Sequence, residues 1–439
     1  MTAAPPLPVR RRLWPKTLAG KLGVVSLFAI LLLAAAWFIA LIVIERRLAA
    51  AMKRAEVEFG LSNNIEDFIP PILPPERNAM VPLDEAAELV APVMTALPPW
   101  DWSDDAESRL KSFPTLATSL RIEAVDRFLD EADRRPECSP TSLPLRPFLR
   151  NGGAPHRSRR LLVESEALVG WMVVQDGRPD DAVRRMVRML RLGRKWTPAE
   201  PHFGDVVSDI GRRNHLINVI HLVLRSCRID ASLHDAIDRE LAEQAKCHAI
   251  VPRIYHIEKL KRLEDFAFYP ERQHAWWLLG PLAVNDRLLI VDWYDRNIKS
   301  APHPYSVAWP ELQKANRELW RISEHQLDRL LHPDVLLVTS CEQRRGFDYL
   351  CAKVRCLRIV NAMAKQRRWN AALDSLGLPA DALVDPIDEG RLRVKQTPDG
   401  PIIYSVGFDL VDNGGTFDAK TLIGMDIGLG PVTAKEASR

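Results

Sequence analysis

The sequence predicts a mainly α protein: an N-terminal transmembrane helix, an irregular all-α body with helical hairpins, and a small β-hairpin tail at the C-terminus. Three observations predict it. Leu22 to Ile44 is an apolar run without one charge. From Ser158 onward apolar residues recur at three and four, the spacing of one helix face, and sustained alternation begins only after residue 390. Finally, 33 prolines against 21 glycines place irregular stretches between the helices of a 439-residue chain, long enough for two or three domains.

The apolar run reads LGVVSLFAILLLAAAWFIALIVI. At about 1.5 Å per residue it spans roughly 34 Å, enough for a bilayer core of about 30 Å. A cleaved signal peptide is the alternative, but signal cores run about 7–15 residues and the small-residue site Ala49-Ala50-Ala51 lies well past the end of the run. An uncleaved anchor fits better. Arg10, Arg11, Arg12, Lys16 and Lys21 precede it, while Arg46, Arg47, Lys53 and Arg54 follow it among Glu45, Glu56 and Glu58. The positive-inside rule favours a cytoplasmic N-terminus by a thin margin, and hence a protein of the inner (cytoplasmic) membrane with its bulk periplasmic or otherwise extracytoplasmic.

The formal charge of +3 hides two opposite parts. Residues 1–54 hold nine Lys/Arg and one Glu, a net of +8, so the remainder carries −5. The basic surplus suits anionic headgroups. A mildly acidic body argues against a nucleic-acid partner. The six cysteines include no CxxC pair and are too few for a disulfide-built scaffold. Buried free thiols are the favoured reading, with one disulfide allowed and its connectivity unreadable.

Four segments follow from this pattern. Residues 1–60 are the cytoplasmic basic segment and anchor. Residues 61–101 are a Pro-rich connector; Pro70, Pro71, Pro74, Pro75, Pro82, Pro92, Pro98 and Pro99 leave room only for a short helix at Leu83–Val90. Residues 102–375 are the all-α body, interrupted by an irregular stretch from Pro136 to His156. Residues 376–439 are the small β-containing tail, frayed from Ala434 on. Within the body, Leu161, Leu162, Leu168, Trp171 and Met172 share a helix face that stops at Gly177; Pro179 starts the next, with Val183, Met186, Val187 and Leu190 in step. This is an antiparallel hairpin of tetratricopeptide type, though its period is not sustained. Further helices are expected over Val206–Cys227, from Ser232 as a cap, over Ile254–Phe268 and Asn285–Ile298, from Pro310, and over Cys341–Arg368. In the tail, Arg391–Val394 and Ile402–Tyr404 flank the turn Asp399-Gly400-Pro401.

After that hairpin comes PIIYSVGFDLVDNGG. The order of a last helix, Leu378-Pro379, Asp385-Pro386, a hairpin and a Ser-x-Gly-x-Asp loop resembles the C-terminal half of the major pseudopilins of type II secretion. That resemblance implies a calcium loop at Ser405, Gly407, Asp409, Asp412 and Asn413, with Asp409, Asp412 and Asn413 as metal ligands. The residues alone leave two readings open. Calcium takes six to eight oxygens and accepts carboxylates and amides together; equally, Asp and Asn cap ordinary turns. The Gly-Phe-Thr-Leu-Ile-Glu processing site of pseudopilins is missing beside the anchor, which speaks against a polymerised pilus subunit. Over most of its length the chain resembles a group of bacterial single-pass membrane proteins that share the anchor, a Pro-Pro-x-x-Asn-Ala stretch (Pro74 to Ala79), the helical body and this tail. No known activity comes with the match.

Other constellations are weaker. Cys247-His248 with His256 offers three zinc ligands but not the usual grouping. His215 and His221 lie six apart on one predicted helix and do not face each other. Glu164 with Glu166, or Glu258 with Glu264, would supply carboxylate pairs; Ser340-Cys341 lacks a nucleophile elbow. His274, Trp276, Trp277 and Trp293 surround Gly280-Pro281 as an aromatic patch. Arg184, Arg185, Arg188, Arg191, Arg194 and Lys195 form a basic stripe. The reading favoured is a non-catalytic, membrane-tethered scaffold or protein-interaction component of the cell envelope, whose partners are the bilayer and another envelope protein. The alternatives are a secretion-apparatus-associated protein with a structural calcium site, and an envelope hydrolase. A cleft gathering two carboxylates, or a His/Cys pair with shifted pKa values, would favour the enzyme.

Overall fold

A computed structural model describes residues 17–68, 71, 73–96, 119–120, 122–139, 154–197, 203–268, 285, 287–324, 342–417 and 425–431. Helix α1 (Leu18–Phe59) is continuous over 42 residues, about 63 Å. Its apolar turns expose Leu22, Leu27, Phe28, Ile30, Leu33, Phe38 and Ile39, each more than half accessible. Among the described residues it is the one helix long and apolar enough to span a membrane. No helix of a water-soluble core presents such a surface on every side.

The end of α1 changes role. Ala55 is buried and Met52 packs with Phe68, Ile65 and Leu260. The chain leaves α1 at Gly60 in left-handed conformation (φ +63°) and folds back as a short 3₁₀ turn, Ile65–Phe68. Asn63 Nδ2 donates to Met52 O (3.0 Å) and to Glu56 (3.1 Å), tying the return to the helix it left. Helix α8 (Val251–Phe268) receives both: His256 Nε2 lies 2.7 Å from Ser62 O, and Arg253 donates to Phe68 O at 3.1 Å. Lys299, in a helical stretch over 287–300, pairs with Glu58 at 3.0 Å.

The Pro-rich connector is not extended throughout. Helix α2 (Met80–Thr95) is a full core element that buries Met80, Leu83, Ala86, Ala87, Val90 and Met94. Pro82 sits in its first turn, where no amide partner is needed, and Pro92 in its last. Asn78 makes the Pro-Pro-x-x-Asn-Ala stretch intelligible. Its buried side chain accepts from Met80 N and Ser139 N (both 3.0 Å) and donates to Ser139 O (2.8 Å), pinning the start of α2 to the segment after α3 (Glu123–Arg134).

Helices α4 (Ala154–Gln175) and α5 (Pro179–Trp196) form the expected hairpin, with Gly177 at φ +75° and Pro179 in the first turn. Helix α6 (Phe203–Ser226) packs on both. Helix α7 (Ala231–Gln244) starts one residue before Ser232, because Asp230 is the cap, accepting Ser232 N at 2.7 Å. Helix α9 (Tyr305–Glu324) begins a turn before Pro310, which lies inside it. Helix α10 (Glu342–Gln366) runs through the middle, touching α6, α7 and the tail sheet.

The tail adds β1 (Arg393–Thr397), β2 (Gly400–Ser405) and β3 (Ile427–Leu429), an antiparallel β1-β2-β3 sheet in which Thr397 faces Gly400 and Ile403 faces Leu429. The third strand was not expected from the sequence. It is three residues long, too short for alternation to show. Leu376, Leu383, Leu392, Ile403 and Leu429 join one core with α10 and the body. Lys353 of α10 is buried under β3, where its ammonium donates to Gly428 O at 2.8 Å.

Two stability predictions arise here. Asn78→Ala strands two amides and a carbonyl, so denaturant unfolding of the full chain in detergent should show a loss of about 2–4 kcal/mol. Burial pulls Lys353 down to about 8. The unfolded chain therefore holds that proton more tightly, and the burial cost is full below pH 8 and fades as pH rises towards the ordinary lysine value of about 10.4. Lys353→Met should stabilise by about 1–3 kcal/mol at pH 7 and have little effect at the alkaline end.

Candidate functional site

The end of α7 and the face of α10 build the cluster richest in chemistry. After Gln244 the chain makes a 3₁₀ turn, Cys247–Ile250, before entering α8. On α10, Arg344, Phe347, Asp348 and Cys351 recur at three and four and so line one face. The turn seats against that face. Cys247 Sγ lies 3.8 Å from Phe347 O, and Cys351 Sγ 3.6 Å from Ala245 O, so each sulfur reaches the backbone of the other's element. The two thiols act on each other's ionisation. His248 Nε2 lies 2.7 Å from Asp348 Oδ1, and Asp348 Oδ2 faces Arg344 Nε at 3.1 Å. Arg344 also donates to Ser300 O and His303 O, which holds the carboxylate's partner in place.

The charges follow from these contacts. Burial opposes a charged imidazole, yet Asp348 and Cys351 outweigh it and push His248 up to about 10. The hydrogen bond from Cys247, with His248 beyond it, holds Cys351 below the usual thiol range. The same hydrogen bond keeps Cys247 above it. The two thiols therefore titrate as one coupled group, with Cys351 the more acidic of the two and the His248 imidazole favouring its charged form. Asp348 and Cys351 are inaccessible, while His248 is a quarter exposed. A cavity of about 180 Å³ opens on Cys247, bordered by Arg194, Arg213, Lys246, Glu243 and Gln244. The sequence showed Cys247-His248 as neighbours, but their partners lie on another helix, beyond the reach of motif spacing. His256 does not join them; it turns to the α1 contact, and burial, with Lys259 adding to it, lowers it to about 4.

The proposed calcium ligands do share one loop. Asp409 Oδ1 accepts Val411 N (3.1 Å) and its other oxygen accepts Asn413 Nδ2 (3.3 Å). Asp412 accepts Gly414 N (2.9 Å) and the Tyr404 hydroxyl (3.1 Å), and faces Arg393 Nε at 3.3 Å. Asp426, before β3, accepts Asn413 N and Gly415 N. Ser405 and Gly407 serve the packing. Ser405 Oγ donates to buried Asp385, which also accepts Val406 N and Ile387 N. A Cβ on Gly407 would lie 1.7 Å from Met425 O. The loop carboxylates are engaged by amides, a phenol and a guanidinium, the arrangement of a capped turn. Among the described residues no group of three or more His, Cys, Asp or Glu is placed to hold a metal ion.

The other sequence candidates disperse. Glu164 pairs with Arg212 (2.6 Å), and Glu166, two residues on, faces the opposite way to Arg185 (2.7 Å). Glu258 is met by Lys261 and Arg262. The basic stripe of α5 is neutralised: Arg185 and Arg188 pair with Asp126, Arg191 and Lys195 with Asp133, and Arg194 with Glu240. Two of these acids, Asp126 and Asp133, lie on α3, a helix that the sequence marks only by Val125, Leu129 and Ala132 on its buried face. His215 is buried on α6. His221 is held down to about 3 by burial, then by Arg225 and Lys353. Trp293 donates to Asn316 at 2.9 Å within an aromatic core; His274, Trp276, Trp277, Gly280, Pro281, Ser340 and Cys341 lie outside the described residues. Comparison with known family models, with curated proteins and with solved structures finds no match to this chain.

The loop wiring predicts a result for calorimetry. With the amide and Arg393 contacts intact, millimolar calcium should produce no saturable heat. Saturable uptake that Asp409→Ala abolishes would instead establish the loop as a calcium site.

Proposed function

We propose that the chain is a single-pass, membrane-anchored scaffold or interaction component of the cell envelope, with its N-terminus cytoplasmic and its body periplasmic or otherwise extracytoplasmic. One observation carries the reading: the apolar, outward-facing part of α1 runs without a break into turns that are part of the body's packing. Such a helix has no aqueous resting place for its first six turns, and the contact at Met52 and Ala55 lies roughly 12–16 Å beyond Ile44. The body is therefore held close to the bilayer in one orientation, which suits a platform presented to a neighbouring envelope protein. Flanking charge supports the direction of insertion, and the basic surplus lies with the anchor rather than with the −5 body. The association with a secretion apparatus, and calcium in the tail, rest on the pseudopilin-like loop alone.

A second reading, an envelope enzyme using a thiol, is favoured by Cys351 beside His248 and Asp348. Against hydrolysis stands access: Cys351 is fully buried, and the cavity reaches Cys247, whose thiol is held protonated. Attack by Cys351 on a carbonyl would need the 247–250 turn to leave α10.

A C-terminal alkaline phosphatase fusion tests the topology. It should be active in intact cells; an inactive fusion, with an active cytoplasmic reporter at the same point, would reverse the orientation.

A further inference from the structure

We propose that Cys247 and Cys351 are a disulfide-forming pair, closed by exchange with an external disulfide that enters through the cavity beside Cys247.

Four observations bear on this. Reciprocal contacts between the 247–250 turn and α10 bring the two thiols into one cluster, Cys247 Sγ beside Phe347 O and Cys351 Sγ beside Ala245 O. The rest of the described cysteines lack this. Cys356 is buried elsewhere on α10, near Lys353 and Asp385, and Cys227 lies at the end of α6 beside Ser226. Only one member of the pair has an approach: Cys247 borders the cavity, whereas Cys351 has no accessible surface. The groups facing the pair are predominantly cationic. His248 and Arg355 face Cys351, Arg213 of α6 faces Cys247, and Arg194 and Lys246 border the cavity; Asp348 is compensated by His248 and Arg344. Such surroundings favour a thiolate and an anionic disulfide.

The chemistry balances as thiol–disulfide exchange. Cys247 gives up its proton, and its sulfur attacks one sulfur of the external disulfide. That S–S bond breaks and the first thiolate leaves, taking up a proton. The Cys351 thiolate then attacks Cys247 Sγ, the mixed disulfide breaks, and the second thiolate leaves and is protonated. Two protein thiols lose two electrons, and the external disulfide gains them as two small thiols. The entry step is slow, because Cys247 is held protonated. Closure is favoured, because His248 and Arg355 stabilise the charged form of Cys351. His248 is a positioning residue that keeps that charge in place. Once formed, the bond would fasten the turn between α7 and α8 to α10.

Formation of this bond in cells rests on the extracytoplasmic placement proposed above; the exchange reaction itself does not. The test uses the full purified chain in detergent with oxidised glutathione, followed by thiol alkylation and peptide mass spectrometry. The expected result is a Cys247–Cys351 disulfide without a lasting glutathione adduct, and a rise of about 5 °C in the unfolding midpoint. Cys351→Ser, with Cys351→Ala as a second variant, should accumulate glutathione on Cys247, whereas Cys247→Ser should leave Cys351 unmodified. Ultraviolet absorbance should show a first thiolate appearing at lower pH than for a free thiol, and His248→Gln should move its midpoint up towards about 8.5. The proposal is overturned if both thiols stay alkylatable, if either bonds a different cysteine, or if Cys351→Ser and Cys351→Ala take no adduct. Closure in detergent with a reduced pair in cells would overturn the compartment and leave the pair standing.

Discussion

The seating of the last turns of α1 against α8 is the constraint on which the orientation of the rest depends. An isolated helix end projecting from a bilayer would fray, because short helical segments are marginal without packing. Here Met52 and Ala55 enter a small apolar cluster, and the return through Asn63, Ser62 and Phe68 locks them there. The buried parts do most of this. The exposed pair Glu58–Lys299 contributes little, since solvent screens it.

From that contact, order passes inward through packed elements. Helix α8 follows directly on the turn that carries Cys247 and His248, and the turn is seated on α10. Helix α10 in turn bears the tail sheet, so α1, the thiol cluster and the tail are linked through successive contacts. A second set of constraints is electrostatic. The arginines of α5 and the acids of α3 interdigitate, with Glu166 beneath them; burial raises its pKa despite Arg185 and Arg188. Pairing of this kind fixes register more than it adds stability.

The sequence made local matters legible. The hairpin of α4 and α5 was readable because Gly177 and Pro179 punctuate a clean three-and-four spacing. The long apolar helix was readable because 23 residues without a charge or a proline favour one unbroken helix. What escaped depended on distance or on brevity. Helix α2 was discounted for its prolines, yet both fall near its ends. Helix α3 was overlooked because so few apolar residues mark it among many charges. Strand β3 is too short to alternate. The Ser-x-Gly-x-Asp signature was visible, but its physical content was not: Ser405 bonds Asp385, Gly407 admits Met425 O, and Asp412 meets Arg393. The thiol cluster joins positions on two helices about a hundred residues apart, and no spacing rule spans that interval.

The most direct test of the account is amide hydrogen exchange of the full chain in lipid nanodiscs, read over residues 45–68. If anchor and body are one packed unit, amides in 52–59 should exchange as slowly as those of α8, and Met52→Ser should accelerate both together. Fast exchange across 45–68 beside a protected α8 would mean that the anchor end moves independently, and would contradict the fixed orientation on which the proposed role rests.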